Sequence, residues 1–445
     1  MFCPVCGKEL ETNARFCPEC GATIIGSTPT PYVKETEKTV HAPKSPIPKQ
    51  SSHPSRPSRS KQPHHHSHRK RRGLTIGLII GMLLLAGGGI FGIVMAVNWG
   101  SIEGYNYYYY DNPTPSAVEA FQFDVDVADV DIGYNSSPTS HLIEIIYHYH
   151  ASGGFLDGKS FEDIYEVTWE NTSATVFFKS QFKWWTNWVF TDRSVISVIL
   201  RSDIVYSIDG DVSTGDVDFT MLDNTNVSTF AVTDSTGDIT LTIGNGTKFQ
   251  ESFSAAVSTG SITIYGDDIE FQKTFTVTAS TGDIDITGEL VRFKDDLYAE
   301  TSTGTITFTF IKPEFSDKIE LYASTGDIVV YVDEPEYNTA ESLWIGDIST
   351  GSFTLGIKQS NPMGANITAN IEASTGDIII DMDIDLSIGA QFISSVGIGD
   401  YSYSNRGGFE ILGSVFQTTT YPRTSNYEFS LSVSTGNIDV MGLCS

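Results

Sequence analysis

The sequence predicts a mainly β protein built as a parallel, right-handed β-solenoid of about ten coils of about 22 residues, together with one transmembrane helix and a small N-terminal module. Three observations support this fold class. The tripeptide Ser-Thr-Gly recurs through the second half of the chain, apolar residues alternate with polar ones on both sides of it, and residues 73–97 form one uncharged, mostly apolar run.

The glycine of the repeated motif marks a regular period. Up to residue 376 successive copies lie 22 to 25 residues apart, and a degenerate copy, SSVGIGD, divides the longer interval before the last one. Such a period indicates a solenoid, a propeller or an array. An enzyme needs its reactive residues once, so we interpret the repetition as architecture. The marker glycines are Gly215, Gly237, Gly260, Gly282, Gly304, Gly326, Gly351, Gly376, Gly399 and Gly436.

The residues beside each glycine alternate with period 2, which predicts strands. Ile284 and Ile286 follow Gly282, and Phe275 and Val277 precede it. Each unit is therefore a strand, a tight corner and a second strand, too small to bury its apolar face without its neighbours. A propeller blade needs about 40 residues for four strands, so about 22 residues fit one coil of a parallel solenoid, wound right-handedly by the crossover rule.

The repeats assign residues 201–445 to the solenoid. Residues 117–200 are predicted to be a β-rich cap, because FQFDVDVADVDI alternates as an opening strand. Trp184, Trp185 and Trp188 are interpreted as core of this cap, with stacking on sugar rings as the alternative.

Residues 73–97 are long enough to cross a bilayer as a single helix. The cationic cluster Arg69 to Arg72 precedes this run, which places the N-terminus in the cytoplasm and the repeats outside the cell membrane. Residues 98–116 are predicted to be a juxtamembrane spacer whose tyrosines, Tyr105 and Tyr107 to Tyr110, form an interfacial aromatic belt.

Glycines at the start of the predicted helix offer a close-packing face. Gly73, Gly77 and Gly81 follow a four-residue spacing that allows a homodimer through the membrane, although glycine is common in such helices for other reasons.

The charge is divided between two parts of the chain. Residues 1–72 hold 13 Lys and Arg against 5 Asp and Glu, which leaves 14 against 50 for the remainder. An acidic body repels phosphate backbones, so nucleic-acid binding by residues 98–445 is not expected. Residues 24–72 are rich in Pro, Ser, Lys and His without an apolar period, and are predicted to be a disordered linker.

Two Cys-x-x-Cys pairs, Cys3 with Cys6 and Cys17 with Cys20, offer four thiolates within residues 1–23. Four thiolates at this spacing suit tetrahedral zinc, whereas disulfides are disfavoured in reducing cytosol. Metal binding in so short a module supplies folding free energy, so the predicted zinc is structural.

Residues 1–23, containing MFCPVCGKEL and ARFCPECG, resemble the short zinc-ribbon that opens many prokaryotic membrane proteins. Residues 201–445 resemble the adhesin-like family of repeat β-solenoids of prokaryotic cell envelopes, whose coils carry the STGDI signature, and the resemblance extends more weakly to residues 117–200. It implies a surface-displayed, non-enzymatic module. Some members of that family belong to envelope-stress sensing systems.

The residue after each marker glycine is most often Asp, which raises calcium as a ligand. We favour solvated turn acids instead, because Ser and Thr interrupt the series and the nine-residue repeat of calcium-binding β-rolls is absent. Asp381, Asp383 and Asp385 superficially match the start of an EF-hand loop, but Leu386 and Phe392 occupy its sixth and twelfth positions.

The external half offers few reactive groups. The chain contains no G-x-S-x-G, H-E-x-x-H or GxxxxGK[ST] motif. His148 and His150 share one face of a predicted strand, which we interpret as a surface strand in preference to a metal site. Cys444 is interpreted as incidental.

The sequence thus predicts a single-pass membrane protein that displays an acidic solenoid and acts by binding an extracellular protein or glycan. One alternative is a transmembrane sensor whose zinc-ribbon recruits a cytoplasmic partner. A β-helical carbohydrate-active enzyme is the third reading, and converging carboxylates outside the repeated corners would favour it.

Overall fold

The computed structural model describes residues 99–137, 141–154, 156–183 and 189–445. Within these ranges the protein is mainly β, with long parallel sheets and a single four-residue helix. No helix in the same ranges is long and apolar enough to cross a membrane.

Several sequence predictions fall outside the described residues. They are the zinc-ribbon with Cys3, Cys6, Cys17 and Cys20, the linker 24–72, the transmembrane helix 73–97 with its glycines, and the three tryptophans between residues 184 and 188.

The first part of the described chain combines two parallel strand pairs with antiparallel strands at the end of the stack. Its elements are β1 (Trp99–Tyr110), β2 (Glu119–Val125), β3 (Asp129–Asn135), β4 (Ile143–Gly154), α1 (Phe161–Ile164), β5 (Tyr165–Asn171), β6 (Thr175–Phe182), β7 (Val189–Asp192) and β8 (Val195–Arg201).

The repeats follow as a regular series of strands, in which each Ser-Thr-Gly corner joins one strand to the next. They are β9 (Tyr206–Val212), β10 (Val217–Thr220), β11 (Asn226–Thr236), β12 (Ile239–Ile243), β13 (Lys248–Phe249), β14 (Phe253–Thr259), β15 (Ile262–Gly266), β16 (Glu270–Phe271), β17 (Phe275–Thr281), β18 (Ile284–Glu289), β19 (Arg292–Phe293), β20 (Leu297–Thr303), β21 (Ile306–Ile311), β22 (Glu314–Phe315), β23 (Lys318–Thr325), β24 (Ile328–Asp333), β25 (Glu336–Tyr337), β26 (Glu341–Thr350), β27 (Phe353–Gln359), β28 (Asn366–Thr375) and β29 (Ile378–Ile384).

The C-terminal part adds the last corners and a hairpin. Its strands are β30 (Ile388–Ile398), β31 (Tyr401–Gly407), β32 (Phe409–Leu412), β33 (Val415–Thr418), β34 (Ser425–Thr435) and β35 (Ile438–Cys444).

From β9 to β29 each repeat pairs in parallel with the next, with corresponding residues opposite each other apart from one irregularity between β9 and β11. The strands before the corners form one ladder, in which Phe275 lies opposite Phe253 on one side and Leu297 on the other. The strands after the corners form a second ladder, in which Ile284 lies between Ile262 and Ile306. We call these the pre-corner ladder and the post-corner ladder.

The predicted inward residues are confirmed. Along the pre-corner ladder Phe275, Val277 and Ala279 are buried, and along the post-corner ladder Ile284 and Ile286 are buried, as are the corresponding pairs of the other repeats except that of the degenerate copy around Gly399. At about 25 cal/mol per Å² of apolar area, this repeated burial is the main favourable term for folding.

A third strand completes the central repeats, and the sequence prediction of two strands per unit missed it. The two-residue strands β13, β16, β19, β22 and β25 pair in parallel as a short ladder. Their aromatic residues point inward as a stack, with ring centroids 4.9 Å apart for Phe249 and Phe271 and 5.3 Å for Phe271 and Phe293.

Both ends depart from chain order. In the pre-corner ladder the spatial order is β6, β2, β9, so β2 lies between two strands that both follow it in the chain. At the other end β34 lies between β28 and β30, and β35 lies between β29 and β31. The sequence order suggests that the copy around Gly399 comes before the copy around Gly436 in the stack, and this expectation is wrong. The strands of the Gly399 copy, β30 and β31, lie at the end of the two ladders, and those of the Gly436 copy lie between them and β28 and β29.

Antiparallel strands cover parts of both terminal edges. β4 pairs with β8 and β1 pairs with β4, while β33 pairs with β30 at the C-terminal end. Paired edges no longer offer free N–H and C=O groups to another chain.

Two predictions for the start of this region need correction. FQFDVDVADVDI is two strands, β2 and β3, because residues 126–128 turn the chain between them. Residues 98–116 are not only a spacer, since β1 is part of the sheet.

The chain that follows β1 is fixed by a buried carboxylate. Glu119 is fully buried and accepts hydrogen bonds from the Tyr110 hydroxyl at 3.1 Å, the Asn112 amide at 3.2 Å and the Ser116 backbone N–H at 2.6 Å. These donors satisfy a charge that would otherwise be costly to bury, and they hold the segment that enters the body.

Candidate binding groove on the post-corner ladder

The outward residues of the post-corner ladder form rows that run across the strands, because neighbouring strands are in register. One row, which we call the tyrosine row, is Thr242, Tyr265, Thr287, Thr309, Tyr331, Gly356, Asp381, Met441 and Ser404, on β12, β15, β18, β21, β24, β27, β29, β35 and β31. The strand spacing sets successive members about 4.8 Å apart.

A groove of about 380 Å³ opens along this row between β21 and β31. Tyr331 is 49% exposed and its ring lies over Gly356. A Cβ on Gly356 would lie 2.5 Å from Cδ1 of that ring, so glycine leaves the space that the ring occupies. Ile311, 43% exposed, adds a second apolar side chain to the groove.

Ion pairs border the apolar part. Nζ of Lys358 lies 3.1 and 3.2 Å from the two carboxylate oxygens of Asp333. The hydrogen bond and the charge of Asp333 raise the pKa of Lys358, so the ammonium stays charged at neutral pH. Arg406 holds Asp381 with both terminal nitrogens of its guanidinium. Such exposed pairs contribute little to stability, so their place in the groove is of more interest for recognition.

One of these ion pairs, Arg406 with Asp381, depends on the strand order at the C-terminal end. Arg406 belongs to β31 and Asp381 to β29, and β35 lies between the two strands. Asp383 also lines the groove, which therefore holds three carboxylates and two cations. Sequence reasoning missed this site, since its residues carry no motif and come together only through the register.

The predicted corner acids have a structural role that the sequence did not indicate. Oδ1 of Asp283 accepts a hydrogen bond from the Thr305 backbone N–H at 2.7 Å, one repeat further on. Asp327 makes the same bond to the N–H of Ser352 at 2.7 Å. Exposed turn acids were the expectation, but these carboxylates also bond the next repeat.

The corner acids do not cluster as calcium ligands. Within the described ranges, the metal-ligating side chains that converge in a group of three are Asp295, Asp296 and Asp317, which lie outside the corners. Burial, with the charges of Asp295 and Asp317 next, raises the pKa of Asp296, and the charge of Lys318 opposes this shift only in part.

His148 and His150 share the outward face of β4, as predicted. Nε2 of His148 lies 3.4 Å from Glu103, and its ring stacks on Tyr105 with centroids 4.5 Å apart. No third metal-ligating side chain joins the two histidines in the part of the chain that the structure describes. The arrangement agrees with a surface strand.

Tyrosines of β1 form an exposed strip beside these histidines. The rings of Tyr105, Tyr107 and Tyr109 stack at 6.5 and 6.4 Å, and each is about half exposed. Tyr108 and Tyr110 point the other way, with Tyr110 buried. Only every second tyrosine is thus available for the predicted aromatic belt.

A second, smaller depression lies on the pre-corner ladder around Tyr298 and Tyr322. The hydroxyl of Tyr322 donates to Glu320 at 2.8 Å, and burial together with this bond raises the pKa of Tyr322 to about 12. Tyr298 donates in the same way to Glu300. These hydroxyls are therefore already engaged with neighbouring carboxylates.

Cys444 is buried, with Sγ 3.7 Å from the carbonyl oxygen of Asp385.

Asp381 and Asp383 face outward from β29, whereas Asp385 follows the strand and accepts the N–H of Ser387 at 2.8 Å. The three acids therefore do not form one site.

Comparison with known proteins identifies one domain. The family model of the zinc-ribbon domain matches residues 2–24. No curated protein matches the chain. Among solved structures, the crystal structure of a "putative cell adhesion protein" from Clostridium sporogenes is similar at 12% identity, covering 76% of this chain and 99% of that chain with a TM-score of 0.18. The chain thus carries at its N-terminus a zinc-ribbon, a domain that in general binds zinc.

Proposed function

We propose that this chain is a single-pass membrane protein that displays its repeats outside the cell and acts by binding, in the manner of an adhesin. The groove carries this proposal. It is an open, largely apolar depression with ion-paired polar groups at its border, on a surface made regular by repetition. Such sites, with a few polar groups around apolar surface, are the usual form of ligand pockets.

We further propose that the repeats form a right-handed parallel β-solenoid. Parallel pairing at offsets of 22, 23 and 25 residues, seen in β15 with β18, β12 with β15 and β24 with β27, supports this architecture. A surface of this kind extends with each added repeat, which suits a protein that presents a long binding face.

The proposed anchor is the helix 73–97, with the N-terminus cytoplasmic and Cys3, Cys6, Cys17 and Cys20 as the zinc ligands. The zinc-ribbon match over residues 2–24 supports zinc at this end. The acidic composition of the external part argues against nucleic acid as its ligand.

We propose a non-enzymatic role because carboxylates of the groove are paired with cations and are placed to contact a ligand. Asp333 and Asp381 each face a cation, and the acid trio Asp295, Asp296 and Asp317 lies apart from the groove. Glycoside hydrolysis, the reaction of the enzymatic alternative, typically uses two carboxyl groups that flank the scissile bond.

A transmembrane sensor is the second candidate, favoured by the presence of a zinc-ribbon in the same chain. Deletion of residues 1–23 separates the two: binding by displayed repeats should persist, whereas a signal passed to a cytoplasmic partner should be lost.

Surface display is tested by adding protease to intact cells that express the full chain with a tag at each end. We expect loss of the C-terminal tag and protection of the N-terminal tag. Protection of the C-terminal tag and loss of the N-terminal one would contradict the proposed orientation.

A further inference from the structure

The tyrosine row has the shape of a track along the stacking direction. Tyr265 and Tyr331 are three strands apart on it, and Thr287 and Thr309 fill the two positions between them. One side chain per strand gives a step of about 4.8 Å, close to the length of one pyranose residue in a linear polysaccharide.

The aromatic members of the track are available for stacking. Tyr265 is 45% and Tyr331 49% exposed. Since Gly356 receives one side of the Tyr331 ring, the ring lies against the sheet and not upright in solvent. A ring held in this way presents a flat apolar surface at little cost in side-chain entropy.

The polar border suits hydroxyl groups. Asp333 and Asp381 can accept hydrogen bonds, and Lys358 and Arg406 can donate them. Asp333 follows Tyr331 on β24, and Asp381 lies on the tyrosine row, next to Gly356. With two cations against three carboxylates the groove has one negative charge in excess, and the surrounding external part is strongly acidic. A polyanionic ligand would be repelled.

We propose that the tyrosine row binds a linear, uncharged glycan that runs along the stacking direction, with one sugar ring on Tyr331 and its hydroxyls between the Asp333–Lys358 and Asp381–Arg406 pairs. This assignment rests on the proposed binding function and names its ligand class. The regular strand spacing, which organises the fold, then also sets the spacing of the sugar subsites.

The test measures binding of neutral linear hexasaccharides of glucose, mannose and N-acetylglucosamine, each β-1,4-linked, to the full-length protein in nanodiscs by calorimetry. A hexasaccharide of a uronic acid serves as the charged comparison. We expect at least one neutral hexasaccharide to bind and the uronate to bind more weakly.

Variants locate the site. Tyr331→Ala should weaken binding by about tenfold or more, since it removes the stacking surface. Gly356→Ala should weaken it as well, because the new methyl displaces the ring. Tyr401→Ala is the matched control, as Tyr401 is 47% exposed but lies outside the groove, and its affinity should be unchanged. Equal thermal unfolding temperatures of the three variants establish that each is folded.

Three results would overturn the assignment: no hexasaccharide binds, the uronate binds best, or Tyr331→Ala binds as tightly as the unaltered chain. These outcomes are separate from the protease experiment. If the chain is displayed on the cell but binds none of the glycans, only the glycan assignment is contradicted. If the chain binds a glycan through Tyr331 but is not displayed, only the proposed location is contradicted.

Discussion

The central repeats turn at two corners that follow different rules. At the Ser-Thr-Gly corner the backbone of one repeat touches the next, and every marker glycine from Gly215 to Gly436 has φ between +132° and +154°. At the second corner residues 224, 246, 268, 290, 312 and 334 also have positive φ, between +48° and +75°, yet only one of them is glycine. The two corners therefore differ in the kind of positive φ as well as in space: values near +140° belong to a region that L side chains rarely adopt, whereas values near +55° lie in the left-handed region that side chains tolerate at modest cost.

The contacts of each corner add to this difference. A Cβ on Gly282 would collide with the carbonyl oxygen of Gly260 in the preceding repeat. At the second corner Leu290 is 41% exposed, and Lys312 and Glu334 also have positive φ with their longer side chains. Side chains there incur only the strain of the left-handed region, on the order of 1 to 2 kcal/mol.

The largest expected effect is that of Gly282→Val in the middle of the stack. The substitution combines a disfavoured φ of +139° with a collision against backbone that cannot move without its neighbours. Strain of about 1 to 3 kcal/mol and overpacking of similar size should lower the free energy of unfolding by several kcal/mol. Denaturant unfolding measures the loss, and a harmless variant would refute the tight corner.

Asp234 tests the first corner through pH. Its side chain is 2% exposed, at the inward position that Val212 and Val257 occupy in the adjacent repeats. Burial, opposed by the N–H of Thr236 and helped by the charges of Asp216 and Asp238, raises its pKa to about 6. The unfolded value is about 3.9, so the folded state binds the proton more tightly.

Stability from this residue is therefore full below about pH 4 and declines as pH rises toward 6, by roughly 3 kcal/mol in total. Asp234→Asn should be more stable than the unaltered chain at pH 7, by about 2 to 3 kcal/mol, with the difference vanishing at pH 4. Unfolding at both pH values measures this, and an equal difference at the two would contradict the buried carboxylate.

Substitutions of Asp283 measure what the hydrogen bond between one Ser-Thr-Gly corner and the next contributes to stability. Asp283→Ala removes the acceptor of the Thr305 N–H and should cost about 1 kcal/mol, whereas Asp283→Asn keeps an acceptor oxygen and should be near neutral. Both should unfold at the same temperature with calcium and with chelator. Calcium-dependent stability that is lost in the Asn variant would instead establish calcium at the corners.

The smallest effect belongs to the second corner and has the opposite sign. Leu290→Gly relieves the backbone strain of a φ of +58°, but glycine loses more chain entropy on folding. The net effect should be a rise of about 0.5 to 1 kcal/mol in the free energy of unfolding. Gly246→Leu is the reciprocal variant at the equivalent position; its Cβ would lie 2.7 Å from Oδ1 of Asn224, which has to move, so it should destabilise by at least a similar amount. Thermal unfolding checks both, and a Leu290→Gly variant less stable than the parent would show that the side chain packs more than its exposure indicates.

Much of the repeat could be predicted from the sequence, because the period of 2 and the recurring corner motif each depend on local chemistry. The inward identity of Ile284 and Phe275 and the positive φ of Gly282 follow from neighbouring residues alone. The third strand has a weaker signal: Phe249, Phe271 and Phe293 recur every 22 residues, each after a charged residue, and this repetition could have identified it.

The ends and the groove could not be derived this way. Parallel pairing of β29 with β35 or with β31 offers the same backbone hydrogen bonds, and chain order favours β31, which is the wrong neighbour. The pair Arg406 and Asp381 depends on that choice, as does the polar border of the groove.

One cross-linking measurement tests the stacking order directly. Ile379, Asp439 and Ser402 occupy one row, with Asp439 on the middle strand. In a Cys444→Ser background, Ile379→Cys with Asp439→Cys places the cysteines on adjacent strands about 4.8 Å apart, within reach of a disulfide, and they should cross-link on mild oxidation. Ile379→Cys with Ser402→Cys lies two strands apart, beyond that reach, and should not. Cross-linking of the second pair without the first would contradict the account.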